Sequence, residues 1–297
     1  MRVFLTGATG FIGSAIVSEL LACGHDVLGL ARNEASASAV RAAGAAAHLG
    51  ELTDLESLTA GAKAADGVIH TAFGHDFSKY LEAGENDRRA VETIAAALEG
   101  TGKPFVITSG TMILPPGKIG QETDLAAHDS PAGVRAPSEE IMVAAAQRGV
   151  RGTIMRLPPS VHGEGDRGFV PALIDVARRA GVSAYVGEGD NRWPTVHRLD
   201  AVRLFRLALE KGEPGQRVHA VAEEGVPMRS IAEAIGELLG VPVRGIEEAE
   251  AVAHFDWLAR FAQIDNPTSG AATRASLGWT PSEVDLLADI RSGAYRA

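Results

Sequence analysis

Cysteine is nearly missing from this sequence. Cys23 stands alone, which excludes an intramolecular disulfide and any cysteine-based zinc cluster and fits a reducing compartment. The histidines show no H-E-x-x-H spacing, so no metal is expected. Positive charge is in deficit: Lys+Arg number 28 against 38 Asp+Glu, a formal net charge of -10. Neither nucleic acid nor an anionic membrane is therefore expected as the main partner. No apolar run approaches the length of a bilayer span. The first strand opens at Val3, leaving no room for a cleavable signal, and the expectation is a cytoplasmic protein. Repeats, low-complexity tails and long linkers are also missing. Two local gaps matter below: no tyrosine stands between Tyr80 and Tyr185, and no lysine between Lys118 and Lys211.

What is present begins with core material, 45% hydrophobic residues over 297, enough to bury a full core. The organising stretch is Val3-Phe4-Leu5-Thr6-Gly7-Ala8-Thr9-Gly10-Phe11-Ile12-Gly13. It reads as a strand, a glycine-rich turn and the start of a helix, with Ile16, Leu20 and Leu21 at helical spacing. Each glycine has a physical reason: Gly7 for a tight turn, Gly10 for close approach of the backbone to a pyrophosphate, Gly13 for packing of helix on strand. The helix N-terminus then offers unpaired N–H groups to phosphates. A dinucleotide site is expected here.

Gly24 closes the first helix, and Asp26-Val27-Leu28-Gly29-Leu30 forms a second strand. An acid after this strand grips a ribose 2′-hydroxyl, whereas an arginine accommodates a 2′-phosphate. The chain has Ala31-Arg32-Asn33, which points to NADP(H) more than NAD(H). An alanine-rich helix over 35–43 follows, then a strand near 47–49 running into Gly50-Glu51-Leu52, with Thr53 or Asp54 to cap the next helix. Asp66–Phe73 reads as a buried strand, 80–98 as a helix, and Pro104–Thr111 as a strand whose end carries the hydroxyls of Ser109 and Thr111. Strands alternating with helices in this rhythm predict an α/β fold with a doubly wound parallel sheet. A helix after Pro137 and the strand Gly152–Leu157, broken by Pro158-Pro159, continue it.

The turn Thr6-Gly7-x-x-Gly10-x-x-Gly13, the strand end Gly50-Glu51-Leu52, Ile69-His70-Thr71-Ala72, and Arg156-Leu157-Pro158-Pro159-Ser160-Val161-His162-Gly163 follow one another as in a known family. The chain resembles the extended short-chain dehydrogenase/reductases, the NAD-dependent epimerase/dehydratase family, and the likeness reaches 195–201. The resemblance implies a Rossmann domain over 1–160 with 196–222 returning to it, and a smaller substrate lobe from 161–195 and 223–297. It implies a cofactor site of Gly7, Thr9, Gly10, Phe11, Ile12, Gly13, Arg32, Glu51, Leu52, Thr71, Ala72, Phe73, Pro158 and Val161. Glu51 and Leu52 would sit by the adenine and the residues after Arg156 would border the nicotinamide. Arg192 and Trp193 would lie over the substrate or simply pack, and His254, Trp257, Phe261 and Trp279 read as lobe core.

The departures are as informative. Family catalysis uses a serine or threonine after the fifth strand and a tyrosine and lysine four residues apart on the next helix. The two gaps noted above remove both from any alignment. Arg135 to Glu139 falls on the tyrosine-to-lysine span by local pattern, while counting back from Arg156 puts Arg135 near the lysine; both alignments stay open. The serine position falls at Gly110, between Ser109 and Thr111. Candidate catalytic residues are Ser109, Thr111, Arg135 and His162. Histidine titrates nearest neutrality, so His162 is expected to supply the proton, with His75 behind it. Two function classes remain: an NADP(H)-dependent oxidoreductase or epimerase/dehydratase-like enzyme on a small carbonyl or alcohol substrate, and a non-catalytic sensor of the nicotinamide cofactor. The expected partners are a small-molecule substrate and no nucleic acid or membrane, with a homodimer left open.

Overall fold

The computed structural model describes residues 1–74, 79–130, 132–293 and 295. His75 lies outside them. The first half alternates strictly: β1 (Arg2–Thr6), α1 (Phe11–Ala22), β2 (Asp26–Ala31), α2 (Glu34–Ala42), β3 (Ala46–Leu49), α3 (Leu55–Lys63), β4 (Gly67–His70), α4 (Tyr80–Leu98), β5 (Pro104–Gly110), α5 (Ala136–Ala146) and β6 (Arg151–Leu157). The chain then crosses between layers: β7 (Ser160–His162), α6 (Phe169–Ala180), β8 (Ser183–Val186), β9 (Arg192–His197), α7 (Arg198–Lys211) and β10 (Gln216–His219). It ends in β11 (Glu223–Pro227), α8 (Met228–Leu239), β12 (Val243–Ile246), α9 (Glu248–Phe255), α10 (Ala271–Leu277) and α11 (Leu286–Ser292).

Seven parallel strands form the main sheet in the order β10-β6-β5-β4-β1-β2-β3, the doubly wound α/β arrangement expected from the alternation. β1 is paired on both edges, by β4 and β2, and helices pack on both of its faces, so Val3, Phe4 and Leu5 are fully buried. Such a strand reads as a continuous apolar run. Successive side chains alternate: Val3 and Leu5 join the core under α1 and α7, and Phe4 the one under α3 and α4. Pro158-Pro159 ends β6, since neither residue can donate to a ladder. The chain leaves into β7, which joins β9 and β11 in a second, three-stranded sheet; β8 pairs with β12 in a third.

A separate core lies beneath these small sheets, built from α6, α8, α9 and α11 and including the fully buried Trp193. Arg192 pairs with Asp265. Trp193 therefore packs. Trp279 differs from the lobe-core expectation: it is buried in the first core, and its indole N–H donates to Asp200 O at 3.0 Å, which fastens the C-terminal region to α7. Trp257 is 46% exposed, so only part of it is core. Among the described residues no helix is long and apolar enough to cross a membrane.

One buried ion pair ties α5 to the sheet. Arg156 on β6, wholly inaccessible, donates from Nε and Nη2 to Glu139 at 2.9 and 2.7 Å. Burial works against the Glu139 charge, but the Arg156 hydrogen bonds and charge outweigh it and hold the carboxyl below its ordinary range. A carboxyl whose folded value is depressed stabilises above the unfolded value and loses that contribution as pH falls through the folded one. Glu139→Ala leaves a buried guanidinium without its counter-charge, and a loss of about 3–5 kcal/mol is expected in urea unfolding at neutral pH. That difference should shrink on acidification; a loss that is negligible at neutral pH, or independent of pH, would count against this role.

Candidate active site

The C-terminal ends of the parallel strands open onto one cleft of about 1210 Å³. Its wall is made of the residues just past those ends, where ligands of open α/β sheets sit. Every cofactor candidate lies on it: Gly7, Thr9, Gly10, Phe11, Ile12, Gly13, Arg32, Glu51, Leu52, Thr71, Ala72, Phe73, Pro158 and Val161.

The turn is built for close approach. Gly7 adopts φ +74°, and a Cβ there would come within 2.7 Å of Thr71 Oγ1 and 2.9 Å of Ala72 N. A Cβ on Gly13 would meet Gly7 O at 2.0 Å. α1 begins with Gly10 as its N-cap, and no side chain caps it. The first N–H groups of a helix have no intrahelical acceptor, so those of α1 stay available to an anion at the cleft. No acidic residue in the first turn opposes one. These residues fit the pyrophosphate of a dinucleotide. At the far end of the wall Arg32 is exposed with no acidic partner among the described residues, beside α2, whose own N-terminus is closed by the Asn33–Ser36 capping box. Thr53 donates to Glu51 Oε1 at 2.9 Å.

The catalytic candidates are placed differently: among the described residues, none of the four lines the cleft. Ser109 is buried on the α5 side of β5, beside the Glu139 carboxylate. Thr111 is fully buried and donates to Asn266 Oδ1 at 2.7 Å, while Asn266 Nδ2 donates back to Thr111 O at 3.1 Å. Arg135 is the N-cap of α5; it donates to Thr108 O at 2.7 Å, lies 3.5 Å from Asp87, and stacks 3.7 Å from the centre of the Phe73 ring. Phe73 is itself on the cleft wall, so Arg135 stands one ring behind it. Glu139, four residues along, is turned away to Arg156.

His162 differs most from expectation. It is 1% exposed, its Nδ1 is 2.9 Å from Asp289 Oδ2 on α11, and its ring meets that of His197 edge-on. Its place on β7, between the lobe sheet and α11, turns it to the protein interior rather than the cleft. A second buried chain of polar groups runs behind Gly7: Thr6 Oγ1 to His70 Nδ1 at 2.8 Å, His70 Nε2 to Asp87 at 3.3 Å, and Ser138 Oγ donating to Asp87 at 2.6 Å. Burial opposes the Asp87 charge, but Arg135, His70 and Ser138 together keep its carboxyl below the ordinary value.

The lobe adds wall residues that the sequence reasoning missed: Asp166, Arg167, Gly168, Phe169, Ala172 and Trp257. Asp166, Arg167 and Gly168 form a loop immediately after the Arg156–Gly163 motif. Their position next to that motif was the available signal. Trp257 lies 60 residues beyond His197, the last residue of β9, and carries no such mark beyond its spacing to Phe261.

With this geometry the relatives can be placed. The profile of the NAD dependent epimerase/dehydratase family matches residues 3–221. The chain belongs to that family. An uncharacterized protein of Schizosaccharomyces pombe is 50% identical over 296 residues, covering 99% of this chain and all of that one. The 4-hydroxy-2-methyl-3-oxo-4-farnesyl-3,4-dihydroquinoline-1-oxide ketoreductase of Stigmatella aurantiaca is 28% identical over 285 residues, 90% of this chain and 84% of that one. Among solved structures, DesIV, a dTDP-glucose 4,6-dehydratase of Streptomyces venezuelae with NAD and TYD bound, has the same fold at a TM-score of 0.80 and 21% identity, covering 100% and 97% of the two chains. As a family member the chain has an epimerase/dehydratase-type oxidoreductase fold with a nicotinamide dinucleotide site.

Gly13→Ala should force α1 away from the turn, because the methyl would overlap Gly7 O. Affinity for NADH and NADPH, read by fluorescence titration, is expected to drop roughly tenfold or more; unaltered affinity would contradict the cradle.

Proposed function

We propose that the protein is a cytoplasmic NADP(H)-dependent oxidoreductase acting on a small carbonyl or alcohol substrate. The observation that carries this reading is the convergence of all the cofactor candidates on one cleft that continues past Pro158 and Val161 to a lobe wall with aromatic side chains. Its volume exceeds that of an ordinary single-ligand pocket, which leaves room for a substrate beside the cofactor. The name of the Stigmatella relative, a ketoreductase, agrees with a carbonyl substrate.

When bound, the nicotinamide supplies or accepts hydride; the chain's own residues do the rest. The α1 N-terminus holds the pyrophosphate, and Glu51 and Leu52 flank the adenine. Arg32 meets the 2′-phosphate with charge-assisted hydrogen bonds, and Ala31 presents no carboxylate to repel it. Phe73, backed by the guanidinium of Arg135, forms the wall at the nicotinamide end. Ser109 and Thr111 lie behind the cleft wall rather than on it. The sensor reading has one observation in its favour, the absence of the four catalytic candidates from the cleft wall; the substrate-sized space in the lobe weighs against it.

A screen of carbonyl compounds is expected to find steady NADPH oxidation that stops when the compound is omitted. Saturable cofactor binding with no turnover on any aldehyde or ketone would favour the sensor instead. Arg32→Ala should weaken NADPH binding by more than NADH binding in calorimetric titration. Equal losses would defeat the assignment of NADP(H).

A further inference from the structure

Family chemistry places a proton donor on α5, and α5 here has none facing the cleft. The lobe side of the same wall carries a carboxyl. Asp166 stands in the loop between β7 and α6, where Gly163 and Gly165 both adopt positive φ and Asp166 N donates back to Gly163 O at 3.1 Å. Both carboxyl oxygens are fixed: Oδ1 accepts from Gly168 N at 2.7 Å, and Oδ2 accepts from Tyr295 Oη at 3.0 Å. Tyr295 Oη in turn accepts from Gly163 N at 3.4 Å, so the C-terminal segment and the loop hold the group from two sides. It shares the wall with Pro158, Val161 and Phe73.

We propose that Asp166 exchanges the proton with the substrate oxygen in this cleft, a role that rests on the oxidoreductase reading above. In the reductive direction the carbonyl carbon gains hydride, two electrons with one hydrogen, from the reduced nicotinamide dinucleotide. The oxygen takes the proton that leaves the Asp166 carboxyl, giving an alcohol, an oxidised cofactor and a carboxylate. The carboxylate regains its proton from solvent through the open cleft. Oxidation of the alcohol runs the same transfers backwards, with Asp166 as base.

The surroundings suit the task. Burial raises the Asp166 carboxyl to about 6, against the hydrogen bonds from Gly168 N–H and the Tyr295 hydroxyl, which favour its charged form. His162 on β7 favours the charge and Asp289 on α11 opposes it. Arg167 follows in the same loop, and His197 on β9 lies beyond His162. A group titrating near 6 is available both as acid and as base near neutrality. Reduction should therefore slow as pH rises through about 6, and oxidation should quicken. Tyr295 is a positioning residue in this scheme.

The test compares wild type with Asp166→Asn, Asp166→Glu and Tyr295→Phe, each checked for folding by thermal denaturation. Four readings are taken: NADPH affinity, turnover on a carbonyl compound reduced by the wild type, its pH profile, and the carboxyl titration of Asp166 by carbon-13 NMR in the cofactor-free protein. Asp166→Asn should lower turnover by about 100-fold or more with NADPH affinity intact. Asp166→Glu should restore part of the rate. Tyr295→Phe, by removing a hydrogen bond to the charged form, should move the pH break and the NMR titration upward together. Full turnover in Asp166→Asn, parallel loss of NADPH affinity, or an Asp166 titration in the ordinary carboxylate range would each overturn the proposal while leaving the oxidoreductase reading in place. A wild type that binds NADPH and reduces nothing removes both.

Discussion

The contact on which the rest depends is the one between the backbone of α1 and the turn that precedes it. There is no space for a methyl group on Gly13, because Gly7 O occupies it, and none on Gly7, because Thr71 and Ala72 close in from the end of β4. With no side chains between them, helix, turn and two strands meet at backbone distance. The rest of α1 then lies along the sheet, where Ile16, Val17 and Leu20 are buried with residues of α7. The N-terminus of the helix is left pointing at the strand ends. The closely packed turn thus also presents the unpaired N–H groups of the helix start to the cleft, and those call for an anion.

Charge is distributed to match. By local pattern Arg135 and Glu139 span the positions that a tyrosine and lysine would hold, and both are committed elsewhere: Arg135 to Asp87, Thr108 and the Phe73 ring, Glu139 to Arg156. Both carboxylates are buried, and breaking a buried pair by removing one partner is costly. A proton relay at α5 would need one of them to come apart during turnover. The half-buried carboxyl of Asp166, on a loop at the edge of the lobe, forms no ion pair among the described residues.

The sheet and the cofactor wall were legible in the sequence for a physical reason. Alternating apolar strands and amphipathic helices have two periods, and the ligand edge of a parallel sheet follows from strand direction, so the glycines of the turn and Arg32 can be named from local context, while Glu51, Thr71 and Pro158 rest on the family resemblance. Side-chain facing was harder. Ser109 is a candidate because it stands at a strand end, yet alternation turns it toward α5, where Glu139 lies. Thr111 and His162 are covered by Asn266 and Asp289, more than 120 residues away, and no local pattern records which distant segment returns to cover a strand end. Trp257 and Trp279 show the same limit: similar residues at similar places in the chain, one on the cleft wall and one buried under α7.

Amide hydrogen exchange with and without saturating NADPH tests the central claim most directly, since it reads the backbone groups that the cleft is organised around. The amides of Phe11, Ile12 and Gly13 should gain protection when cofactor is bound, with Thr71 to Phe73 following. Saturation of the protein with no change at the start of α1, or with protection confined to the lobe, would contradict the account.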